Sequence, residues 1–278
     1  MHDTIIIRYG EIALKGKNRH LFEKRLVQNV RACFRREDIP FSKILRKRGR
    51  IYVSTEEKNP CLADVFGIVS FSYAVSFRFE IEKAKALVVS IAKNSKADSF
   101  RVSAKRIDRT VPENSQKLNM ILGQEVADKT GMQVSLKDFG LELGLEIQEG
   151  TGYVFSKRLP GQGGLPLGVN GKALALIENR RSVLAAWHTM RRGVAIVPVT
   201  RERLDQQRLN RHLRILEKYS YGQGELKTKS LEEEKSRNKM IITGQTLGGI
   251  EELGDDILVL RPLVGLSGEE IEKKLKIL

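Results

Sequence analysis

The sequence predicts a chain of mixed fold class: α+β up to about residue 159, then a small parallel α/β sheet from about residue 160. Three observations lead there. Helices and strands are mixed in the first part, with antiparallel strands at its ends. A glycine-rich run, Gly161-Gln162-Gly163-Gly164-Leu165-Pro166-Leu167-Gly168-Val169-Asn170-Gly171-Lys172, interrupts the pattern. Beyond that run strands alternate with helices, as in parallel sheets.

The elements follow in order. Thr4 to Tyr9 is short and β-branched, a strand. Gly10 to Asn18 is a loop bounded by glycines. A helix from about Arg19 to Arg36 puts Leu21, Phe22, Leu26, Val30 and Phe34 on one face and Lys24, Arg25, Arg31 and Arg35 on the other. Ile44 to Lys47 and Arg50 to Ser54 form a hairpin around Gly49. Asn59-Pro60 marks a boundary. A short helix over Cys61 to Ile68, a strand over Phe71 to Glu80 and a helix over Glu82 to Asn94 come next. Phe100 to Arg106 alternates apolar or small residues with basic ones, a half-buried strand. Pro112 to Lys129 is a helix with Leu118, Ile121, Leu122 and Val126 inward, ended by Gly131. Val134 to Leu136, Leu141 to Gln148 and Tyr153 to Lys157 are strands. After the glycine-rich run come a strand over Ala173 to Ile177, a helix over Val183 to Arg192 capped by Ser182, and a strand over Val194 to Val199. A helix over Arg203 to Tyr219 and a polar, partly mobile stretch over Tyr221 to Arg237 precede strands at Lys239 to Thr243 and Ile257 to Leu260. The last helix, Ser267 to Lys276, has Ser267 as N-cap and Glu270 three residues on.

Composition bounds the function. The chain has 278 residues and a net charge of +15, which attracts polyanions. Residues 1–60 hold 15 Lys/Arg against 7 Asp/Glu, residues 61–160 hold 14 against 12, and residues 161–278 hold 20 against 15. The excess is greatest at the N-terminal end, and nucleic acid is the partner it points to. The densest basic cluster is Arg46-Lys47-Arg48-Gly49-Arg50; it is read either as a phosphate-contacting hairpin or as a solubilising one. No apolar run reaches the length of a membrane span. With no signal peptide visible and only two cysteines, Cys33 and Cys61, a cytoplasmic, reducing location is expected. Cysteine count and the scatter of four histidines offer no metal quartet.

Strand, tight turn and helix over residues 173–192 have the layout of a phosphate-binding unit, because a helix N-terminus offers free N–H groups and a positive dipole end. Such turns ordinarily use glycine so that backbone can approach the phosphate. Here the turn reads Leu176-Ile177-Glu178-Asn179-Arg180-Arg181-Ser182, without glycine.

Several blocks, in order, resemble the tRNA 4-thiouridine synthetase (tRNA sulfurtransferase) family. Arg8-Tyr9-Gly10-Glu11-Ile12-Ala13-Leu14-Lys15-Gly16-Lys17-Asn18-Arg19 resembles its N-terminal ferredoxin-like domain. Phe100 to Arg106, the helix that follows, and Val134 to Tyr153 resemble its THUMP domain. The glycine-rich run, Thr243-Gly244-Gln245 with Leu247-Gly248, and Leu260-Arg261-Pro262-Leu263 are similar to blocks of its PP-loop domain, a Rossmann-like parallel sheet of the adenine nucleotide alpha hydrolase-like kind. The resemblance implies domains at 1–58, 59–159 and 160–278. It implies tRNA as partner, held at the acceptor stem and 3′ end by Lys15, Lys17, Arg46, Lys47, Arg48, Arg50, Arg101, Lys105, Arg106 and Arg109. By the family's analogy a homodimer is the expected assembly.

In the family the PP-loop domain adenylates the target uridine with ATP and magnesium, and a cysteine persulfide supplies sulfur. The family's Ser-Gly-Gly-x-Asp-Ser loop is not matched: its glycines and aspartate are missing, and Ser182 alone remains. Leu176, Ile177, Arg180, Arg181, Ser182 and Gly244 mark the degenerate nucleotide position. No cysteine follows Cys61, and a sulfur relay needs a thiolate beside the activated base. The expectation is a tRNA-binding homologue without cofactor or metal and without a confident catalytic residue. The alternative is an active sulfurtransferase that uses ATP and magnesium through a diverged loop, with sulfur from a partner. An RNA methyltransferase would need a glycine-rich S-adenosylmethionine loop, and none is visible.

Overall fold

A computed structural model describes residues 2–201, 205–254 and 256–278. In chain order the elements are β1 (Thr4–Arg8), α1 (Arg19–Arg36), β2 (Lys43–Lys47), β3 (Arg50–Ser54), β4 (Ser70–Arg78), α2 (Ile81–Lys93), β5 (Ser99–Arg106), α3 (Ser115–Thr130), β6 (Gln133–Val134), β7 (Leu141–Gln148), β8 (Thr151–Phe155) and β9 (Leu159–Pro160). Then follow β10 (Lys172–Leu176), α4 (Arg180–Arg191), β11 (Ala195–Thr200), α5 (Gln206–Glu217), β12 (Lys229–Ser230), α6 (Leu231–Lys235), β13 (Met240–Ile242), β14 (Leu258–Leu260) and α7 (Gly268–Leu275). They divide into two compact units, each made of separate chain segments: Met1–Ile7, Pro40–Lys58 and Ser70–Leu159 in one, Arg8–Ile39, Asn59–Val69 and Pro160–Leu278 in the other.

The first unit carries a nine-strand sheet whose main path runs β2-β3-β1-β4-β8-β7-β5-β6, with β9 pairing β4 off that path. β1, β2 and β3 pair antiparallel, as do β4 with β8 and β7 with β8; β5 runs parallel to both β6 and β7. α2 and α3 cover one face, burying Ala84, Val88, Leu118, Leu122 and Val126 against Phe100, Leu143, Leu145 and Val154. β7 is buried along nearly its whole length, because a second layer of Ile6, Tyr52, Ala74, Tyr153 and Phe155 also belongs to this unit. The rings of Tyr52 and Tyr153 stack with centroids 4.5 Å apart.

The second unit carries a five-strand sheet, β12-β11-β10-β13-β14, parallel throughout. Strand order reverses direction between β10 and β13, so the crevice at their C-terminal ends is a topological switch point, where open α/β sheets place ligands. α4, α5 and α7 bury Leu184, Ala185, Met190, Leu209, Leu213, Leu216 and Ile271 in its core. α1 is tied to the glycine-rich run: the Arg25 guanidinium donates to the carbonyls of Leu167 (2.6 Å) and Gly222 (2.8 Å). A Cβ at Gly168 would sit 2.1 Å from that guanidinium. With φ at +82, the left-handed region that glycine adopts freely, this backbone conformation accounts for glycine here, and the arginine's close approach adds to it.

Several expected elements differ. In α1 the buried set is Glu23, Leu26, Asn29, Val30, Cys33 and Phe34, whereas Leu21 is exposed: Asn29 is drawn in by its bond to the Leu167 carbonyl (3.1 Å). The helix expected over Cys61 to Ile68 is one 3-10 turn, Pro60–Asp64, begun by the Asn59 side chain. α3 begins at Ser115, after the cap Asn114, and not at Pro112. The stretch read as polar and partly mobile, Tyr221 to Arg237, contains β12 and α6, with Tyr221, Leu226 and Leu231 buried. The expected start of α5 at Arg203 lies outside the described residues.

Candidate nucleic-acid interface and the closed turn

Eight of the basic candidates belong to the first unit. Arg46, Lys47, Arg48 and Arg50 are on the β2–β3 hairpin; Arg101, Lys105 and Arg106 are on β5, with Arg109 in the loop after it. The structure sorts them by what their charges already meet. The Arg50 guanidinium clamps the Glu146 carboxylate at 2.6 and 3.3 Å, and the Glu146 side chain is 0% exposed. A buried carboxylate is tolerated only with such a partner, so Arg50 holds the sheet together. The Arg106 guanidinium donates to the carbonyls of Val111, Pro112 and Glu113 and braces the approach to α3. Arg101 lies 4.0 Å over the Phe139 ring and pairs with Glu142. Burial pushes the Glu142 carboxyl up, but bonds from Ser103 and Arg101 outweigh it and hold the group below its ordinary value. Arg48, Lys105 and Arg109 are exposed; Arg46, also exposed, has an interaction partner of its own.

Three loops meet at one end of this unit. Gln148 donates to the Arg48 carbonyl (3.2 Å), and Tyr52 donates to Gln148 (2.8 Å). Lys47 pairs with Glu149 at 3.0 Å. The Glu149 N–H donates to Asp108 (2.6 Å) and the Gly150 N–H to the Thr110 hydroxyl (3.3 Å). The hairpin tip and the loop of Arg109, far apart in sequence, are thus tied to the β7–β8 turn. Burial raises the Asp108 carboxyl, but hydrogen bonds from Thr110 and from the Glu149 backbone, with the nearby Lys47 charge, leave it below its usual range. Sequence reading missed Asp108, Glu146, Gln148 and Glu149, since acidic and amide side chains among basic ones look like solvation; two of them inside the buried β7 were the available signal.

Lys15 and Lys17 belong to the second unit, in and beside the 3-10 turn Gly16–Asn18. Lys15 is half-buried with its ammonium 5.1 Å from the Phe22 ring centre, and Lys17 is exposed.

The second unit also holds the expected nucleotide position. Leu176 and Ile177 are core residues. Asn179, not Ser182, is the N-cap of α4, and Ser182 is the third helical residue of a capping box. The Asn179 side chain accepts from the N–H groups of Arg181 (2.9 Å) and Ser182 (3.2 Å). The Ser182 hydroxyl accepts from those of Glu178 (2.9 Å) and Asn179 (3.1 Å) and donates to the Asn179 carbonyl (2.6 Å). Four amides that a phosphate cradle would present are therefore bonded within the turn. Gly244, two residues beyond β13, closes it from the other side: a Cβ there would lie 2.4 Å from the Ser182 nitrogen. The Arg180 guanidinium donates to the Leu275 carbonyl (2.8 Å), and Arg181 is exposed. Glu178 faces Arg201 at 3.7 Å. These residues do not fit the phosphates of ATP as they stand, because a bound phosphate would have to displace Asn179 or Ser182. Among the described residues no group of three or more His, Cys, Asp or Glu side chains could hold a metal ion, and no helix is long and apolar enough to cross a membrane.

A sheet with two helices on one face, followed in the chain by a parallel α/β sheet, has the architecture of THUMP-containing proteins of the tRNA-modification class, and the family models agree. The family model of the ThiI ferredoxin-like domain matches residues 4–72 and that of the THUMP domain matches residues 81–157. The chain is 31% identical to a probable tRNA sulfurtransferase of Thermococcus kodakarensis over 329 aligned positions, covering 98% of this chain and 86% of that one. It is 36% identical to a probable tRNA sulfurtransferase of Natranaerobius thermophilus over 213, covering 71% of this chain and about half (51%) of the relative's length. Its fold matches the crystal structure of PH1313 from Pyrococcus horikoshii with a TM-score of 0.89, at 28% identity and 99% coverage of both chains. It also matches a 4-thiouridine synthetase solved as an RNA complex with bound ATP, with a TM-score of 0.82, at 24% identity, over 100% of this chain and 85% of the other, a likeness of fold. The chain belongs to the tRNA sulfurtransferase family.

Proposed function

We propose that this chain binds tRNA through its THUMP module, at the acceptor stem and 3′ end, and that its adenylation loop no longer serves ATP. The domain division 1–58, 59–159 and 160–278, a cytoplasmic location and tRNA as partner belong to the same reading. A-form RNA is recognised mostly through shape, phosphates and 2′-hydroxyls, and exposed basic side chains on and beside a sheet suit that task. The observation that supports the second half is the turn at residues 178–182, four of whose five amides are engaged by Asn179 and Ser182. A phosphate cradle works by leaving such amides for its ligand. The Glu178 carboxylate adds repulsion, about 4 kcal/mol per unit charge at ~4 Å and an effective dielectric of ~20, reduced by its pairing with Arg201.

An active sulfurtransferase using ATP and magnesium, with sulfur delivered by a partner, is the second reading; the 31% identity to a relative of that name favours it. Calorimetry and a pyrophosphate-release assay separate the two. The expected result is tRNA binding that weakens by roughly tenfold or more from low to physiological salt, with no heat from millimolar ATP and magnesium and no pyrophosphate. Micromolar ATP affinity, with pyrophosphate released when tRNA is added, would overturn the proposal.

A further inference from the structure

The β7–β8 turn holds a conformation that its sequence does not favour. Glu149 has φ +51 and Gly150 φ +71. Glycine adopts the left-handed region freely; a glutamate there is uncommon and strained. What holds it is in the neighbouring loop. Asp108 accepts from the Glu149 N–H at 2.6 Å through one oxygen. Through its other oxygen it accepts from the Thr110 N–H (3.1 Å) and hydroxyl (2.5 Å). The Thr110 oxygen in turn accepts from the Gly150 N–H at 3.3 Å. Two successive amides in left-handed conformation are thus closed by one carboxylate and the threonine it orients. The same turn meets the hairpin through Lys47 and Glu149, and Gln148 just before it fixes the Arg48 carbonyl.

We infer that Asp108 is a positioning residue that locks the three loops of this apex, so that Arg48 and Arg109 are presented to an RNA backbone in a fixed arrangement. The inference rests on the tRNA-binding reading. Its physical content is an opposition of signs. Asp108 is an anion among cations, and on electrostatics alone its removal should tighten RNA binding. As a lock its removal should weaken binding, because loops ordered beforehand need not be ordered on association.

The test is tRNA binding by the full chain and by Asp108→Ala across a salt series, each variant's fold checked by its melting curve. The expected outcome is a two- to tenfold weaker complex, within the range that ordering one or two side chains entails, with an unchanged salt slope, since no phosphate contact is removed. Faster amide exchange at Glu149 and Thr110 should accompany it. Glycine at position 149 holds φ near +51 without strain, so Glu149→Gly should recover more affinity in the Asp108→Ala background than it adds to the wild type. Thr110→Val, which keeps the volume and removes the acceptor of Gly150, should weaken binding in the same direction. Binding by Asp108→Ala as tight as or tighter than wild type, while the wild type binds with strong salt dependence, overturns the positioning role alone. No salt-dependent binding by the wild type overturns the tRNA reading and this inference with it.

Discussion

Arg50→Ala separates a structural arginine from an RNA-contacting one. Arg50 and Glu146 are joined by two hydrogen bonds, and their side chains are 11% and 0% exposed. Alanine takes the Arg50 cation and its two hydrogen bonds away from a buried carboxylate, at a cost of about 3–5 kcal/mol. Against a typical domain stability of about 5–15 kcal/mol, that is a large fraction of the total. Replacing both partners, as Arg50→Met with Glu146→Leu, should recover most of it, because the desolvated charge is removed as well. Urea unfolding followed by near-ultraviolet circular dichroism suits the purpose, since the stacked Tyr52 and Tyr153 report on the first unit. The single tryptophan, Trp187, reports on the second unit. A loss below about 1 kcal/mol in Arg50→Ala, together with a lower salt slope for tRNA binding, would refute the structural assignment and return Arg50 to the RNA contacts.

Arg48→Glu, at an exposed position, should change stability by only about ±0.5 kcal/mol and lower the salt slope of tRNA binding by about 0.7–0.9 per phosphate lost; an unchanged slope would make the hairpin tip a solvated face. Gly244→Ala would put a Cβ 2.4 Å from the Ser182 nitrogen, which is backbone and has no rotamer to yield, so thermal unfolding should show a loss of about 1–3 kcal/mol, and unaltered melting would mean the turn is not closed by β13. Burial pushes the Cys33 thiol up to about 12, so native protein at pH 8 should leave Cys33 unmodified by a thiol reagent until it unfolds. Because the folded value is raised above the unfolded one, of about 8.5, this thiol's contribution to stability is complete below that value and lost as pH climbs toward 12; a melting temperature flat from pH 8 to 11 would contradict it.

Much of the fold was legible, for identifiable reasons. α1, β7 and the Ser267 capping box follow from local patterns, and local patterns decide them. The alternation of strand and helix after residue 172 gave the parallel sheet. What failed depended on distant partners. Leu21 satisfies the helical period yet is exposed, while Asn29 violates it and is buried, because a carbonyl 138 residues away receives its amide. The segment from Tyr221 reads as polar, yet Tyr221 lies under Arg36 at 3.6 Å and donates to Glu37 at 2.7 Å. The basic candidates were visible as a charge excess, but charge alone does not say which arginine already has a buried acid to serve. Only the sheet order, which places Glu146 within reach of Arg50, distinguishes Arg50 from Arg48.

The closed turn has an energetic consequence for the whole second unit. A helix start whose amides await a phosphate is unsatisfied until the ligand arrives, and an N-cap supplied by the chain removes that deficit, by about 1 kcal/mol for asparagine or serine. Here Asn179 and Ser182 serve four amides between them, and Gly244 brings β13 against the same helix end. On the tRNA-binding reading, α4 is therefore stable without nucleotide and the sheet carries the fold without its chemistry. On the sulfurtransferase reading, every nucleotide molecule would have to break these bonds before making its own. That displacement subtracts from ATP affinity in proportion to the caps it removes, about tenfold for each 1.4 kcal/mol. Asn179→Gly would lower the barrier while stability falls by only a few tenths of a kcal/mol. If that substitution produced ATP binding, the turn would be a latch over a surviving site; if ATP still failed to bind, the missing glycines and carboxylate, and not the cap, are what separate this chain from an adenylating enzyme.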